Sequence, residues 1–543
     1  MMKKKLLVLS GIVTVMVQIA GCGSKTESQT AFDVGKSYNT TESVAMDGMA
    51  ECVEAVDGMA NYGEDMVVSE PDWNTEEYDK VEEKGFTAVT NQPLSTFSAD
   101  VDTASYSNIR RMIEDGYPLE DIPKGAVRIE EMLNYFSYDY KLPDGEEPFG
   151  VTTVMGDCPW NENAKLLQIG LKTEAIDFSE APDSNFVFLL DVSGSMNDAD
   201  KLPLLQRSFS LLTEQLSEKD RVSIVTYAGS DEVILKGAKG SETKKIVDAI
   251  ESLEAGGGTN GSKGIETAYS LAEKYFIEGG NNRVILATDG DLNLGVTSES
   301  DLEELISEKK ESGIFLSVLG FGTGNIKDNK METLADCGNG NYAYIDSFGE
   351  AKKVLVEELG ATMVTVAKDV KLQVEFNPAY VKGYRLLGYE NRALTTEEFD
   401  DDTKDAGEIG AGHTVTALYE VIPVDSEQEI PTTDLKYQDS SVSTGVENGE
   451  WMTLKIRYKE PEKEESKLCE YPISETAYTR EPNQDFNFAA AVAEFGLLLR
   501  DSEYKGESSF ENIASLLKLA NTQEDEYKDE FAYLVRKLAR DAE

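Results

Sequence analysis

The stretch Asn185-Phe-Val-Phe-Leu-Leu-Asp191-Val-Ser193-Gly-Ser195-Met196 changes character halfway along. Its first half is an unbroken apolar run of strand length, as expected of a strand buried on both faces of a parallel sheet. Its second half presents one carboxylate and two hydroxyls at alternate positions, where such a strand gives way to its loop. Three oxygen ligands aimed into one pocket suit a hard divalent cation such as Mg2+.

Two later stretches repeat this logic. Gly256-Gly-Gly-Thr259-Asn-Gly261 offers a hydroxyl between glycines, and Arg283-Val-Ile-Leu-Ala-Thr-Asp289-Gly290 is a second apolar run ending in a carboxylate. In an open α/β sheet, ligands gather outside the carboxyl ends of the strands at the topological switch point, where all three segments can meet. The glycine loop is not a phosphate cradle of the P-loop kind, because Ser262 stands where that motif requires Lys. Asp and Ser also cap helices, and Leu202–Leu216 reads as a helix just downstream, so a capped turn is the competing explanation of Asp191 to Ser195.

The order Asp-x-Ser-x-Ser, then Thr, then Asp resembles the metal-ion-dependent adhesion site of von Willebrand factor type A domains. The resemblance implies that Asp191, Ser193, Ser195, Thr259 and Asp289 hold Mg2+, with Mn2+ or Ca2+ as alternatives. It also implies a doubly wound, mostly parallel α/β sheet over residues 184–365. Periodicity agrees: apolar strands at Val222–Tyr227, Val284–Ala287, Ile314–Phe321 and Tyr342–Ile345 alternate with helical stretches at Glu242–Leu253, Ile265–Phe276, Asp301–Glu311 and about Phe348–Val364.

At the amino terminus, Lys3-Lys4-Lys5 and the apolar run Leu6–Ile19 have the form of a secretory signal, too short to span a bilayer. Ile19-Ala20-Gly21-Cys22 resembles a bacterial lipobox, which implies a signal peptide at 1–21 and a lipid on Cys22. Residues 22–91 are polar, acidic and aperiodic, and are expected to form a disordered tether.

The chain has 543 residues, enough for two or three domains, and 102 acidic against 51 basic residues give a net charge of −51. So strong an anion repels nucleic acid and anionic headgroups, leaving the lipid to hold it at the membrane. The 5 Cys, without a Cys-x-x-Cys pair, and the 1 His do not form a zinc-site pattern. An exported location would permit a disulfide between Cys158 and Cys469.

The flanks of the A-like segment carry a second resemblance. Pro93 to Tyr106, Arg128 to Phe136 and Phe486 to Arg500 look like parts of a bacterial lipoprotein family that contains the A domain. Asp102 or Thr103 is expected to cap a helix running to about Asp115, and Asp100 and Asp102 read as capping residues rather than metal ligands. Leu167, Ile169 and Leu171 alternate with Gln168 and Gly170; Val370, Leu372, Val374 and Phe376 alternate with Lys371, Gln373 and Glu375. Both patterns describe strands with one wet face. His413 shares a face with Val415, Ala417, Tyr419 and Val421, as a core or edge histidine would.

The expected architecture is therefore an α/β A-type domain inserted in a β-rich domain, with helical N-terminal and C-terminal segments: 92–183 helical with the first strands, 184–365 the insert, 366–475 β-rich, 476–543 helical. The expected function is that of a lipid-anchored protein on the extracytoplasmic face of a cell membrane, not an enzyme. It would recognise a protein partner's acidic residue through the bound metal and would not bind nucleic acid. The competing readings are a metal-dependent hydrolase and a scaffold whose metal only stabilises loops.

Overall fold

The computed structural model describes residues 75–99, 102–176, 181–228, 230–257, 262–290, 299–358, 364–432, 449–461 and 463–542. The signal, Cys22, most of the tether, Asp100 and Thr259 lie outside the described residues. The strands are β1 (Thr87–Ala88), β2 (Leu94–Ser98), β3 (Gly150–Asp157), β4 (Lys165–Lys172), β5 (Ser184–Asp191), β6 (Arg221–Tyr227), β7 (Asp231–Lys239), β8 (Asn281–Thr288), β9 (Ile314–Phe321) and β10 (Tyr342–Ile345). They continue with β11 (Thr365–Phe376), β12 (Val381–Leu387), β13 (Gly407–Gly410), β14 (Thr414–Pro423), β15 (Glu450–Lys459) and β16 (Ser466–Ser474).

In the A-type insert the sheet order is β10-β9-β8-β5-β6-β7. All pairings are parallel except β6 with β7. Every residue of β5 and of β8 is buried, which is what their continuous apolar runs require. The antiparallel β7 and the helix Asp328–Cys337 are elements that periodicity did not announce. β7 is an edge strand whose mixed Asp-Glu-Val-Ile-Leu-Lys sequence carries no clean alternation.

The insert interrupts a sandwich. One sheet runs β1-β12-β14-β4-β3, and the other β13-β11-β15-β16 with β2 also on β11. Leu167, Ile169 and Leu171 of β4 and Val370, Leu372 and Val374 of β11 share one core between the sheets, so strands from both sides of the insert build the same domain. Two expectations need correction here. β4 has no wet face: Gln168 is buried and donates to the Tyr140 hydroxyl at 3.0 Å, because a helical layer covers the outside of its sheet. On β11, Lys371 and Gln373 are buried as well, capped by the Glu398 and Asp401 carbonyls and by Thr96.

That helical layer combines Ala104–Glu114 and Ile129–Asn134 with Gln484–Arg500, Phe510–Ala520 and Glu526–Asp541 around one apolar cluster. Cys158 belongs to this cluster and Cys469 to the sandwich core, and both are free thiols rather than the disulfide allowed above. The helix Ala104–Glu114 has Thr103 at its N-cap without a side-chain bond. Asp102 does not cap it; its carboxylate accepts from the Tyr342 amide at 2.9 Å and from Arg392 at 3.1 Å, tying the frame to the insert. The expected limit of the tether also moves. Residues 75–91 are packed: Thr75 N donates to Gly324 O at 2.7 Å, Glu77 N to Ile326 O at 2.9 Å, and β1 pairs with β12.

Glu494, the charge that interrupts the apolar run of Gln484–Arg500, is buried and accepts from the Ser509 amide at 3.0 Å and from Asn512 Nδ2 at 2.9 Å. It thereby tethers the start of the next helix. Burial pushes its carboxyl up to about 7 from the usual 4.5. A carboxyl raised in the folded state contributes stability that is complete below about pH 4.5 and lost as pH rises through about 7. Urea denaturation of Glu494→Gln across that window is expected to lack up to about 3 kcal/mol of the pH dependence seen in the wild type.

Candidate metal centre

β5 sits between β6 and β8; the connection from β5 leads to β6 on one side and that from β8 to β9 on the other, which places the switch point of the sheet between their carboxyl ends. Asp191 ends β5, and Asp289 follows the last residue of the neighbouring β8. Both carboxylates are fully buried, Ser193 is buried, and Ser195 is exposed at the mouth. The Ser193 amide donates to Asp191 Oδ1 at 2.8 Å, and the two hydroxyls lie 3.0 Å apart. Thr288 Oγ1 donates to Asp191 Oδ2 at 3.3 Å.

The glycine loop is stitched to this turn. Gly256 N donates to Val192 O at 2.8 Å and Gly194 N to Gly257 O at 3.1 Å, which fixes the start of the loop that carries Thr259. The capped-turn explanation does not apply to the helix Leu202–Thr213, whose N-cap is Lys201. Nor does Ser193 make a side-chain cap for the short turn Gly194–Asn197.

Electrostatically the pocket is anionic and dry at its base. Burial pushes the Asp191 carboxyl up to about 6, against the lowering pull of the Ser193 bonds, and the Asp289 charge adds to the rise. Burial and then the Asp191 charge hold the Tyr227 phenol well above its ordinary value. A residue the sequence did not flag balances this. Lys201, itself buried, donates from Nζ to Asp289 Oδ2 at 3.1 Å and to Asn325 Oδ1 at 3.4 Å. Its stem crosses Gly322, where φ is +75° and a Cβ would lie 2.3 Å from Lys201 Cγ. Gly290, at φ +103°, likewise lets the chain after Asp289 pass within reach of Asn325 and Ile326.

The donor set fits a hard divalent cation: oxygen ligands alone, two carboxylates and two converging hydroxyls, one of them open to solvent. Among the described residues no group of three or more His, Cys, Asp or Glu converges.

A profile of the von Willebrand factor type A domain matches residues 185–357, and one described as von Willebrand factor matches residues 72–168. One described as the C-terminal part of the uncharacterised protein YfbK matches residues 361–540. YfbK of Escherichia coli K12 is 42% identical over 470 residues, spanning 85% of this chain and 80% of that protein. The chain belongs to the YfbK family. It also matches calcium-activated chloride channel regulator 1 of Bos taurus, at 26% identity over 38% of this chain and 22% of that protein. A von Willebrand factor type A structure from Catenulispora acidiphila aligns at 14% identity and TM-score 0.41, covering 74% of this chain and 91% of that one. Domains of this type mediate adhesion or protein interaction and commonly hold a divalent metal.

In this YfbK-family chain, Lys201 and Thr288 complete the pocket that the motif outlines. Thr288 is adjacent to a motif residue and could have been found by register. Lys201 lies in a loop whose return across Gly322 no local pattern encodes. Lys201 is ion-paired with the buried Asp289, and removing one partner of a buried pair costs about 3–5 kcal/mol. Urea denaturation in EDTA should register a loss of that order for Lys201→Met and a much smaller one when Asp289→Asn is added.

Proposed function

We propose that this chain is a lipid-anchored, extracytoplasmic binding protein that grips a carboxylate of a partner protein through Mg2+ held by Asp191, Ser193, Ser195, Thr259 and Asp289. The observation that carries the reading is the pair of hydroxyls 3.0 Å apart above the buried Asp191, at the switch point of an A-type sheet. A bound Mg2+ would supply an electrophilic coordination position that a carboxylate can fill. The chain's own part is to hold the hydroxyls together, to keep water from the base of the pocket with β5 and β8, and to fix Asp191 through the Ser193 amide.

The family supports the binding role at the level of adhesion or protein interaction; the metal, the carboxylate and the anchor are the proposal. Catalysis is not part of it. His413, the chain's single histidine, stands with Arg283 at the amino end of β8, whereas Asp289 follows its carboxyl end, roughly 20 Å of strand away. It cannot serve Ser193 or Ser195 as a base.

Calorimetry with Mg2+ is expected to show about tenfold weaker binding for Thr259→Ala and a larger loss for Asp191→Ala, both variants remaining folded. Partner capture from intact cells should fail in EDTA, return with Mg2+ or Mn2+, and weaken when the partner's acidic residues are amidated. Equal Mg2+ affinities, or capture indifferent to EDTA, would leave the pocket as a structural turn, and turnover in a hydrolase panel that EDTA abolishes would favour an enzyme. Membrane fractionation tests the anchor: Cys22→Ser should release the protein or leave it held by an uncleaved signal.

A further inference from the structure

At the amino end of the A-domain sheet, remote from the metal centre, the insert and the sandwich enclose a polar cavity of about 330 Å³. Its wall is charged with both signs: Arg283, Arg392 and Lys404 face it together with the carboxyls of Asp102, Asp336, Glu358, Asp405 and Glu408, so a bound anion would depend on the local field of Arg283. Arg283 is the feature without an explanation. Arg110, Arg111, Arg128, Arg385 and Arg500 are also buried, and each is ion-paired: Arg110 with Asp346 and Glu350, Arg111 with Glu76, Arg128 with Asp328, Arg385 with Glu420 and Arg500 with Glu390. Among the described residues Arg283 makes no contact ion pair with a carboxylate, and Glu408 acts on it only through space, in a chain with twice as many acidic as basic residues.

Its hydrogen bonding sharpens the point. Nη1 donates to Ser317 Oγ at 2.6 Å, and the guanidinium lies over the Phe315 ring at 5.7 Å. Nε is buried without a partner, and Nη2 donates to no described residue. Nε and Nη2 form the side-on edge of a guanidinium, the edge that takes the two oxygens of a carboxylate or phosphate as a parallel pair of bonds. Glu408 faces the same cavity but does not fill that place. Its oxygens accept from Asn339 at 2.6 Å and Thr365 at 2.9 Å, and burial raises its carboxyl. Arg392 is occupied by Asp102, Glu332 and Asp336. Burial brings the Arg283 guanidinium down to about 10, so it still carries its charge at neutral pH. A buried, charged and half-unbonded guanidinium facing a cavity is a costly arrangement unless something completes it.

We propose that this cavity binds a small oxyanion, a phosphate or carboxylate group taken side-on by Nε and Nη2 of Arg283, and that the ligand joins the A domain to its sandwich frame. The site is independent of the metal centre, so it is tested in EDTA on the full chain, with ionic strength held constant by NaCl. Sodium phosphate and sodium succinate are the probes, read by thermal unfolding and calorimetry. Phosphate, succinate or both should raise the melting temperature of the wild type with saturation, and the anion with the larger shift identifies the source. Arg283→Met should lose the response entirely while its melting temperature without added anion equals or exceeds that of the wild type, since an unpaired charge has been removed. Arg283→Lys, which keeps the charge and lacks the two-pronged edge, should bind at least tenfold more weakly, and it decides the matter if the methionine variant does not fold. No shift in the wild type with either anion, or an undiminished shift in Arg283→Lys, would overturn the proposal.

Discussion

The structure depends on a set of buried arginine–carboxylate contacts that fasten an inserted domain to the frame it interrupts. Arg110 reaches Asp346 at 2.5 Å and Glu350 at 2.7 Å in the insert, and also Glu530 at 3.0 Å in the last helix. Arg128 holds Glu131 beside it and Asp328 of the insert at 2.6 Å. Such pairs add little net stability over an apolar contact of the same shape, but they are costly to break and demand one geometry. Through them the helices before the insert, the insert itself and the final helix are held together.

The same physics links the first packed residues to the candidate metal centre. Glu76 accepts from the Gly324 amide at 3.0 Å through one oxygen and from Arg111 at 3.0 Å through the other. Asn325, the next residue after Gly324, accepts from Lys201, which holds Asp289. The loop Gly322–Ile326 is thus shared between the packed segment that begins at Thr75 and the base of the pocket. The segments Pro93 to Tyr106 and Arg128 to Phe136, set apart in the sequence by resemblance, supply Asp102 and Arg128 to this fastening, and Phe486 to Arg500 supplies a core helix of the layer behind it.

What could be read from sequence was what local chemistry specifies. The fully apolar runs of β5 and β8 announced buried parallel strands, and Asp191, Ser193 and Ser195 stood out as candidates only in combination with Thr259 and Asp289, because three oxygen donors at alternate positions also fit a capped turn. Alternation in β4 and β11 identified strands correctly but misjudged their outer faces. Gln168, Lys371 and Gln373 are polar yet buried, bonded through Gln168 Nε2 to Tyr140, Gln373 Nε2 to Thr96 and Lys371 Nζ to backbone carbonyls that arrive from distant segments. Asp102 was taken for a cap because capping is local, whereas its partners Tyr342 and Arg392 are far along the chain. Lys201 escaped notice for the same reason, and so did the cavity at Arg283, which exists only where the insert meets the frame.

Charge explains why the proposed site would prefer an acidic partner. Asp191 and Asp289 contribute two negative charges and Lys201 one positive, so the pocket is singly negative before any metal arrives. A divalent cation would reverse that sign and create a local positive centre on a chain whose net charge is −51. Hydroxyl ligands donate no charge, so Ser193, Ser195 and Thr259 would leave that centre uncompensated. One carboxylate from outside restores neutrality, and because the ion would sit above a dry base the attraction is little weakened by solvent. The surrounding acidity acts in the opposite direction over longer range, repelling acidic surfaces in general. A partner would then be selected by whether one carboxylate can be presented to the mouth beside Ser195, not by its overall charge.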